Sequence, residues 1–87
     1  WNSAAGGTHT ATTAEIIHIQ SAVAGGANVK VYKNNELIAT SQSSASSFEW
    51  VPITVFAGNG DEIKAVSSDS GGNAQVVASG CKYITLS

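Results

Sequence analysis

The sequence has little charge, and this shortage bears on which partners the protein can have. Charged residues make up 11% of the 87 residues, against roughly 25% in typical soluble proteins. The formal net charge is only −2, so no basic field attracts nucleic acid or anionic lipid. No apolar run approaches the roughly 20 residues that a membrane span needs. We therefore expect neither nucleic acid nor a membrane among the partners, and we take the low charge to favour assembly with other protein surfaces.

Cysteine is almost absent as well. The single cysteine, Cys81, has no partner for an intramolecular disulfide, so the fold does not depend on one. We interpret Cys81 as a small buried hydrophobic residue near the start of a strand. An intermolecular disulfide and a reactive thiol remain the alternatives.

The sequence also lacks the patterns of an enzyme. His9 and His18 have no Cys or carboxylate at a spacing typical of a zinc site, and no Ser lies in a Gly-x-Ser-x-Gly elbow. The Gly-rich turns lack the Lys and the helix start of a phosphate-binding loop. Residues 59–62 and 69–73 offer oxygen ligands for calcium but match no known spacing. We expect no catalytic activity, no cofactor and no metal.

What the chain does have is alternation of apolar and polar residues at a period of two. The clearest case is residues 51–68, where Val51, Ile53 and Val55 alternate with neighbours predicted to face outward. Residues dense in Gly, Asn and Asp follow and favour a turn, and a second alternation then begins with Ile63. The pattern predicts two strands that either pair as a hairpin or pass to opposite sheets across a core.

The same pattern extends along the chain. About eight short alternating stretches are separated by turn signals, and no helical period appears. We predict an all-β fold, a single β-sandwich of jelly-roll or immunoglobulin-like type. Residues 1–7 lack periodicity and are assigned to an N-terminal arm, and residues 8–87 are assigned to the sandwich domain. The predicted core consists of the inward-facing aliphatic residues Ile17, Ile19, Val29, Val31, Ile53, Val55 and Ile63.

One hairpin turn is predicted from residue type. Asn34 and Asn35 separate two alternating stretches, and Asn adopts the left-handed conformation more readily than most residues. On the return strand, Leu37 and Ala39 are expected to continue the buried face.

Several of these stretches resemble a known family. The run Pro52-Ile53-Thr54-Val55-Phe56-Ala57-Gly58, followed by Asp61-Glu62-Ile63-Lys64-Ala65, is similar to a segment of small β-sandwich domains in tailed-phage virion proteins. The early strand Glu15-Ile16-Ile17-His18-Ile19, the hairpin of residues 28–38, and Val76-Val77-Ala78-Ser79-Gly80 before Tyr83 agree in order. The chain departs from the family pattern where Asn59-Gly60 is inserted between the usual Gly and Asp, and where Asn35 replaces a common Gly.

The resemblance implies a function. The family includes capsid decoration proteins, head fibres and tail-associated modules, so it implies a non-enzymatic structural protein located in the virion. It also implies a homo-oligomer, with a trimer favoured, that docks on a major capsid or tail protein.

Three aromatic residues are predicted on the solvent side of the central strand. With its aliphatic residues facing the core, Phe48, Trp50 and Phe56 face outward. A sandwich buries one side of each strand, so an aromatic row on the other side is an interface candidate. Trp1, at the end of the arm, is a fourth candidate interface residue. The alternative is a β-bulge near Pro52 that turns Trp50 inward.

Two other functions fit the same pattern. One is an extracellular adhesive module or filament subunit of a bacterial or archaeal surface, joined through addition of its arm to a neighbour's sheet edge. The other is a carbohydrate-binding module in which Trp50, Tyr32 or Tyr83 stacks on sugar rings.

Overall fold

The computed structural model describes residues 3, 5–68, 72–77 and 81–85. These residues form an all-β fold without helices, which confirms the predicted fold class. No helix that could cross a membrane occurs in the described part of the chain. The ten strands are β1 (Gly6–Thr10), β2 (Glu15–Ile19), β3 (Ser21–Val23), β4 (Asn28–Lys33), β5 (Glu36–Gln42), β6 (Glu49–Trp50), β7 (Ile53–Ala57), β8 (Glu62–Ser67), β9 (Ala74–Val76) and β10 (Lys82–Thr85).

The strands form one four-stranded and two three-stranded antiparallel sheets. The four-stranded sheet has the order β1-β8-β4-β5, and the smaller sheets have the orders β10-β2-β7 and β6-β3-β9. Only Gln20 separates β2 from β3, and Ile19 pairs with Ile53 in the same register in which Ala22 pairs with Trp50. The two smaller sheets are therefore halves of one layer, which we call the long sheet. The four-stranded sheet packs against it as the second layer of a small β-sandwich.

Pro52 divides the central strand, on whose solvent side Phe48, Trp50 and Phe56 are predicted, into β6 and β7. Proline lacks the N–H that a ladder needs and is tolerated on edge strands, and β6 and β7 lie at the edge of the long sheet. The N–H of Val51 still donates to Ser21 O at 2.9 Å. The carbonyl oxygen of Val51 accepts from Ser21 Oγ and, at 3.1 Å, from Ser41 Oγ. Because Ser41 belongs to β5, this buried hydroxyl pair ties the two layers together at the break.

The core lies between the layers and matches the predicted set closely. Six of the seven predicted residues are buried, and Ile53 is half-buried and packs against them. Cys81 is also half-buried against this core, and its sulfur accepts a hydrogen bond from the N–H of Gln20 at 3.4 Å. Its packing agrees with the interpretation of Cys81 as a small core residue.

The strands of residues 51–68 pass to opposite layers. β7 pairs with β2 in the long sheet, whereas β8 lies between β1 and β4 in the four-stranded sheet. The chain therefore crosses the core between them, and the hairpin alternative is wrong.

The predicted turn at Asn34 and Asn35 is confirmed, because both residues have positive φ angles of 53° and 68°. The return strand differs from expectation. A register shift between Val31 and Tyr32 inserts one extra residue in β5 and places Leu37 opposite Tyr32, on the outer face. Leu37 is exposed, so the expectation that it continues the buried face is wrong.

The first strand begins earlier than the sandwich boundary drawn from sequence. Gly6 and Gly7 pair with Val66 and Ala65 of β8. The last two residues of the predicted arm therefore lie within the four-stranded sheet.

Candidate docking surface

The outward side of the long sheet carries a row of apolar side chains. Ile16 of β2 pairs with Ile84 on one side and with Phe56 on the other. Directly opposed residues of antiparallel strands present their side chains on the same face of the sheet. Phe56 and Ile84 are exposed, and Ile16 is half-buried between them. This end of the long sheet thus presents three adjoining hydrophobic side chains to solvent.

A second apolar group lies farther along the same edge strand. Trp50 pairs with Ala22 of β3, and Phe48 precedes it by two residues. The exposed fractions of Phe48, Trp50 and Phe56 are 45%, 63% and 66%. Trp50 therefore faces outward as predicted, and the alternative in which a bulge turns it inward is wrong.

The predicted aromatic side chains face outward, but they form two separate groups and not one row. Trp50 and Phe56 are six residues apart, which is about 20 Å along a strand. Trp1 lies outside the described residues. The pattern of the sequence did not predict that Ile16 and Ile84 lie beside Phe56, since only the strand register shows which residues adjoin it. The one signal available was that Ile16 makes both faces of its strand partly apolar.

Polar residues fill the space between the two apolar groups. His18 Nε2 lies 3.2 Å from Gln20 Oε1, and His18 Nδ1 lies 3.5 Å from Thr54 Oγ1. Among the side chains that the structure describes on this face, none is Asp, Glu, Lys or Arg, and the register places one lysine, Lys82, opposite His18 on the edge strand β10. We call this surface the docking face and define it by its outward residues Ile16, His18, Trp50, Thr54, Phe56 and Ile84.

The opposite side of the sandwich has a different character. Lys30, Glu62 and Lys64 occupy alternate positions on β4 and β8 that face away from the core. Val66 is an exposed apolar residue among them. Three of the charged residues therefore lie on the outer surface of the four-stranded sheet, where Leu37 is exposed as well.

A polar cluster that the sequence did not predict closes one side of the sandwich. His9 Nε2 lies 2.7 Å from Glu15 Oε2, and the His9 ring stacks on Tyr83 with 4.2 Å between ring centroids. Glu15 is buried and His9 is half-buried. His9 belongs to the four-stranded sheet, whereas Glu15 and Tyr83 belong to the long sheet. The cluster thus bridges the layers between the two edge strands β1 and β10.

This cluster has limited chemical capacity. No group of three or more His, Cys, Asp and Glu side chains in the described part of the chain is placed to hold a metal. The same residues enclose no pocket. In this cluster, a ring nitrogen of one layer pairs with a buried carboxylate of the other layer.

The turn that carries Asp61 uses its oxygens internally. Asp61 Oδ2 accepts from Gly58 N at 2.8 Å, and Oδ1 accepts from Asn34 Nδ2 at 3.0 Å. These two hydrogen bonds, that from Asn34 first, and the nearby Lys33 ammonium hold the pKa of Asp61 below its ordinary value of 3.8. Both carboxylate oxygens are therefore engaged by hydrogen-bond donors, which disfavours the calcium alternative for residues 59–62.

Comparison with known proteins adds no assignment to this geometry. No protein-family profile matches the chain, and no curated protein is significantly similar to it.

Proposed function

We propose that this chain is a non-enzymatic structural module that docks on a larger protein assembly through the docking face and also self-associates. The observation that carries the proposal is the exposed apolar area on one broad side of the sandwich. Trp50, Phe56 and Ile84 are exposed there, and Lys82, which pairs with His18, is the one charged residue that the described strands place at an outward position of this side. Protein interfaces are depleted of charge at their centre and enriched in aromatic residues.

The size of the face supports a specific contact. The described molecule measures 41 × 22 × 17 Å, so its broad side covers about 900 Å², close to the roughly 800 Å² that each partner buries in a standard interface. A stable contact therefore has to use both Trp50 and the row around Phe56.

The assembly that we propose is the virion of a tailed phage, with a capsid or tail protein as the docking partner. The support for this part is the resemblance of residues 52–65 and of the strands around them to virion sandwich domains. A homotrimer, which that resemblance favours, remains a prediction.

The test uses the phage whose genome encodes the chain. Particles purified from that phage should contain the protein in many copies, counted by quantitative mass spectrometry. The phage gene is then altered to encode Trp50→Ala or Phe56→Ala. The control variant is Val66→Ala, which removes an exposed apolar side chain from the opposite side of the sandwich. Because anchor residues carry about 2 kcal/mol or more each, both docking-face variants should lose most of their copies per particle, and Val66→Ala should keep them.

Two results would overturn the proposal. A particle without the protein, or a gene that stands among secretion or surface-anchoring genes instead of capsid and portal genes, removes the virion assignment. Equal incorporation of all three variants removes the docking face. Thermal melting of each isolated variant shows whether a lost copy reflects lost docking or lost folding.

A further inference from the structure

The edge strands of the sandwich differ in how their backbone groups are covered. In β1, the N–H of Gly6 donates to Ser3 O at 3.1 Å, and Gly6 O accepts from Ser3 Oγ at 3.1 Å. At the edge formed by β6 and β7, Pro52 lacks an N–H, and Phe56 O accepts from Lys33 Nζ at 3.1 Å. Capping, proline and lysine are devices that prevent another strand from pairing with an edge.

The two remaining edges are formed by β9 with β10 and by β5. Among the described strands β5 is the longest, with seven residues, whereas β9 and β10 have three and four. After Glu36 it contains no charged residue, and both Leu37 and Ile38 are exposed. The register shift near Ile38 disturbs its first half, but Ala39 to Gln42 pair regularly with β4. β5 is therefore the edge best suited to accept another strand.

The ladder shows which backbone groups of β5 point away from the sheet. Asn34 N donates to Glu62 O, and Ser68 N donates to Asn28 O, so the even-numbered residues of β4 bond to β8. The odd-numbered residues then bond to β5, because successive residues of a strand direct their backbone groups to opposite sides. Since Val29 pairs with Ser41 and Val31 with Ala39, the N–H and C=O of Thr40 point outward from the edge.

We propose that β5 pairs in antiparallel orientation with β5 of a second copy of this chain, about a twofold axis near Thr40. The proposal rests on the self-association named in the proposed function, and it puts a twofold dimer in place of the homotrimer that the resemblance favours. In this pairing Glu36, the one charged residue of β5, lies at the opposite end of the strand pair from Glu36 of the second copy. The two like charges therefore do not meet. Two four-stranded sheets become one continuous sheet.

The pairing leaves the docking face free. β5 belongs to the four-stranded sheet, whereas the docking face belongs to the long sheet. A twofold dimer therefore presents two docking faces to the assembly. The two contacts use different surfaces, so each can fail without the other.

The test uses two variants of identical composition. Thr40→Glu places two carboxylates next to each other at the twofold axis, while within one chain the new Glu lies opposite Lys30. Thr8→Glu is the matched control, because Thr8 is an exposed residue on the β1 edge and lies opposite Lys64. The parent should approach the mass of a dimer in sedimentation velocity as its concentration rises toward about 1 mM, the Kd of a weak complex. Since opposed like charges across an interface are unfavourable, Thr40→Glu should weaken dimerisation at least about tenfold, and Thr8→Glu should change it less than about twofold.

A second measurement does not depend on a variant. In the parent, the amide of Thr40 should exchange with solvent more slowly as the protein concentration rises, whereas the amide of Thr8 should not. A parent that stays monomeric, a Thr8→Glu variant weakened as much as Thr40→Glu, or a trimer that Thr40→Glu leaves intact would each overturn the edge pairing. If the edge pairing fails while Trp50→Ala still loses incorporation into particles, the docking function stands without this dimer.

Discussion

Replacing His9 by Ala tests whether the cluster between β1 and β10 holds the two layers of the sandwich together. His9 supplies the side-chain partner described for Glu15, at 2.7 Å, and only 5% of the Glu15 side chain is exposed. A buried group left without its partner costs about 1–3 kcal/mol. Loss of the stacking of His9 on Tyr83 adds about 0.5–1.5 kcal/mol. We therefore expect His9→Ala to lower the free energy of unfolding by about 2–4 kcal/mol, a large share of what a small domain has.

The measurement is a double-mutant cycle by urea unfolding at neutral pH, with parent, His9→Ala, Glu15→Gln and the double variant. The coupling energy between the two positions should be about 1–2 kcal/mol, because contacting residues in one polar network interact on that scale. The slope of the free energy with urea should stay unchanged, which shows that the two states compared are the same.

His18→Ala is the matched control for this cycle. His18 lies on the docking face, and its partners Gln20 and Thr54 are at 3.2 and 3.5 Å near the surface. Its replacement should change stability by no more than about 0.5 kcal/mol, as is usual for surface positions. If His9→Ala costs no more than His18→Ala, or if the coupling energy falls within about 0.3 kcal/mol of zero, the cluster does not join the layers and the argument is refuted.

Two further predictions concern the backbone and pH. A Cβ at Gly6, where φ is +120°, would lie 1.9 Å from Ala65 O, whereas a Cβ at Gly58 would lie 3.6 Å from the nearest atom, Asp61 Oδ2. Gly6→Ala should therefore speed amide exchange in β1 and lower the melting temperature. Gly58→Ala should change the exchange rates and the melting temperature much less. The lowered pKa of Asp61 stabilises the fold at a pH above the ordinary value of 3.8, and this stabilisation is lost as the pH falls through the pKa of the folded state. Asn34→Gly keeps the positive φ but removes the strongest donor to Asp61. This variant should return the pKa of Asp61 toward 3.8 in a carboxyl NMR titration. A Gly6→Ala protein as stable as Gly58→Ala, or an Asp61 pKa unmoved in Asn34→Gly, would contradict these two arguments.

The local features of this fold could be predicted from the sequence because they depend on neighbours along the chain. Alternation at a period of two indicated the strands, and Asn34-Asn35 indicated the two-residue turn with positive φ. The same alternation placed Val55 inward and Trp50 outward. It did so correctly across Pro52, because the strand resumes in the same register on both sides of the proline.

Features that depend on which strands become neighbours could not be predicted. The passage of the chain from β7 to β8 across the core was one of two alternatives left open by the sequence. The outward position of Leu37 follows from one extra residue in β5, and such an insertion changes the facing of residues beyond it. The apolar row on the docking face exists because Ile16, Phe56 and Ile84 come from three strands that the register aligns.

The sequence by itself therefore determined the all-β class, the hairpin turn and the direction of the aromatic side chains. The tertiary structure alone decided which side chains share a surface. His9 and Glu15 illustrate the reason: they are six positions apart in the chain, a spacing that indicates no contact, yet they meet because β1 and β2 lie in opposite layers. The position of β5 at an edge likewise depends on the tertiary structure, since the order of strands in the sheet determines which strands are edge strands. Alternation is a property of one strand, whereas contacts across layers and free edges are properties of the assembled sheets.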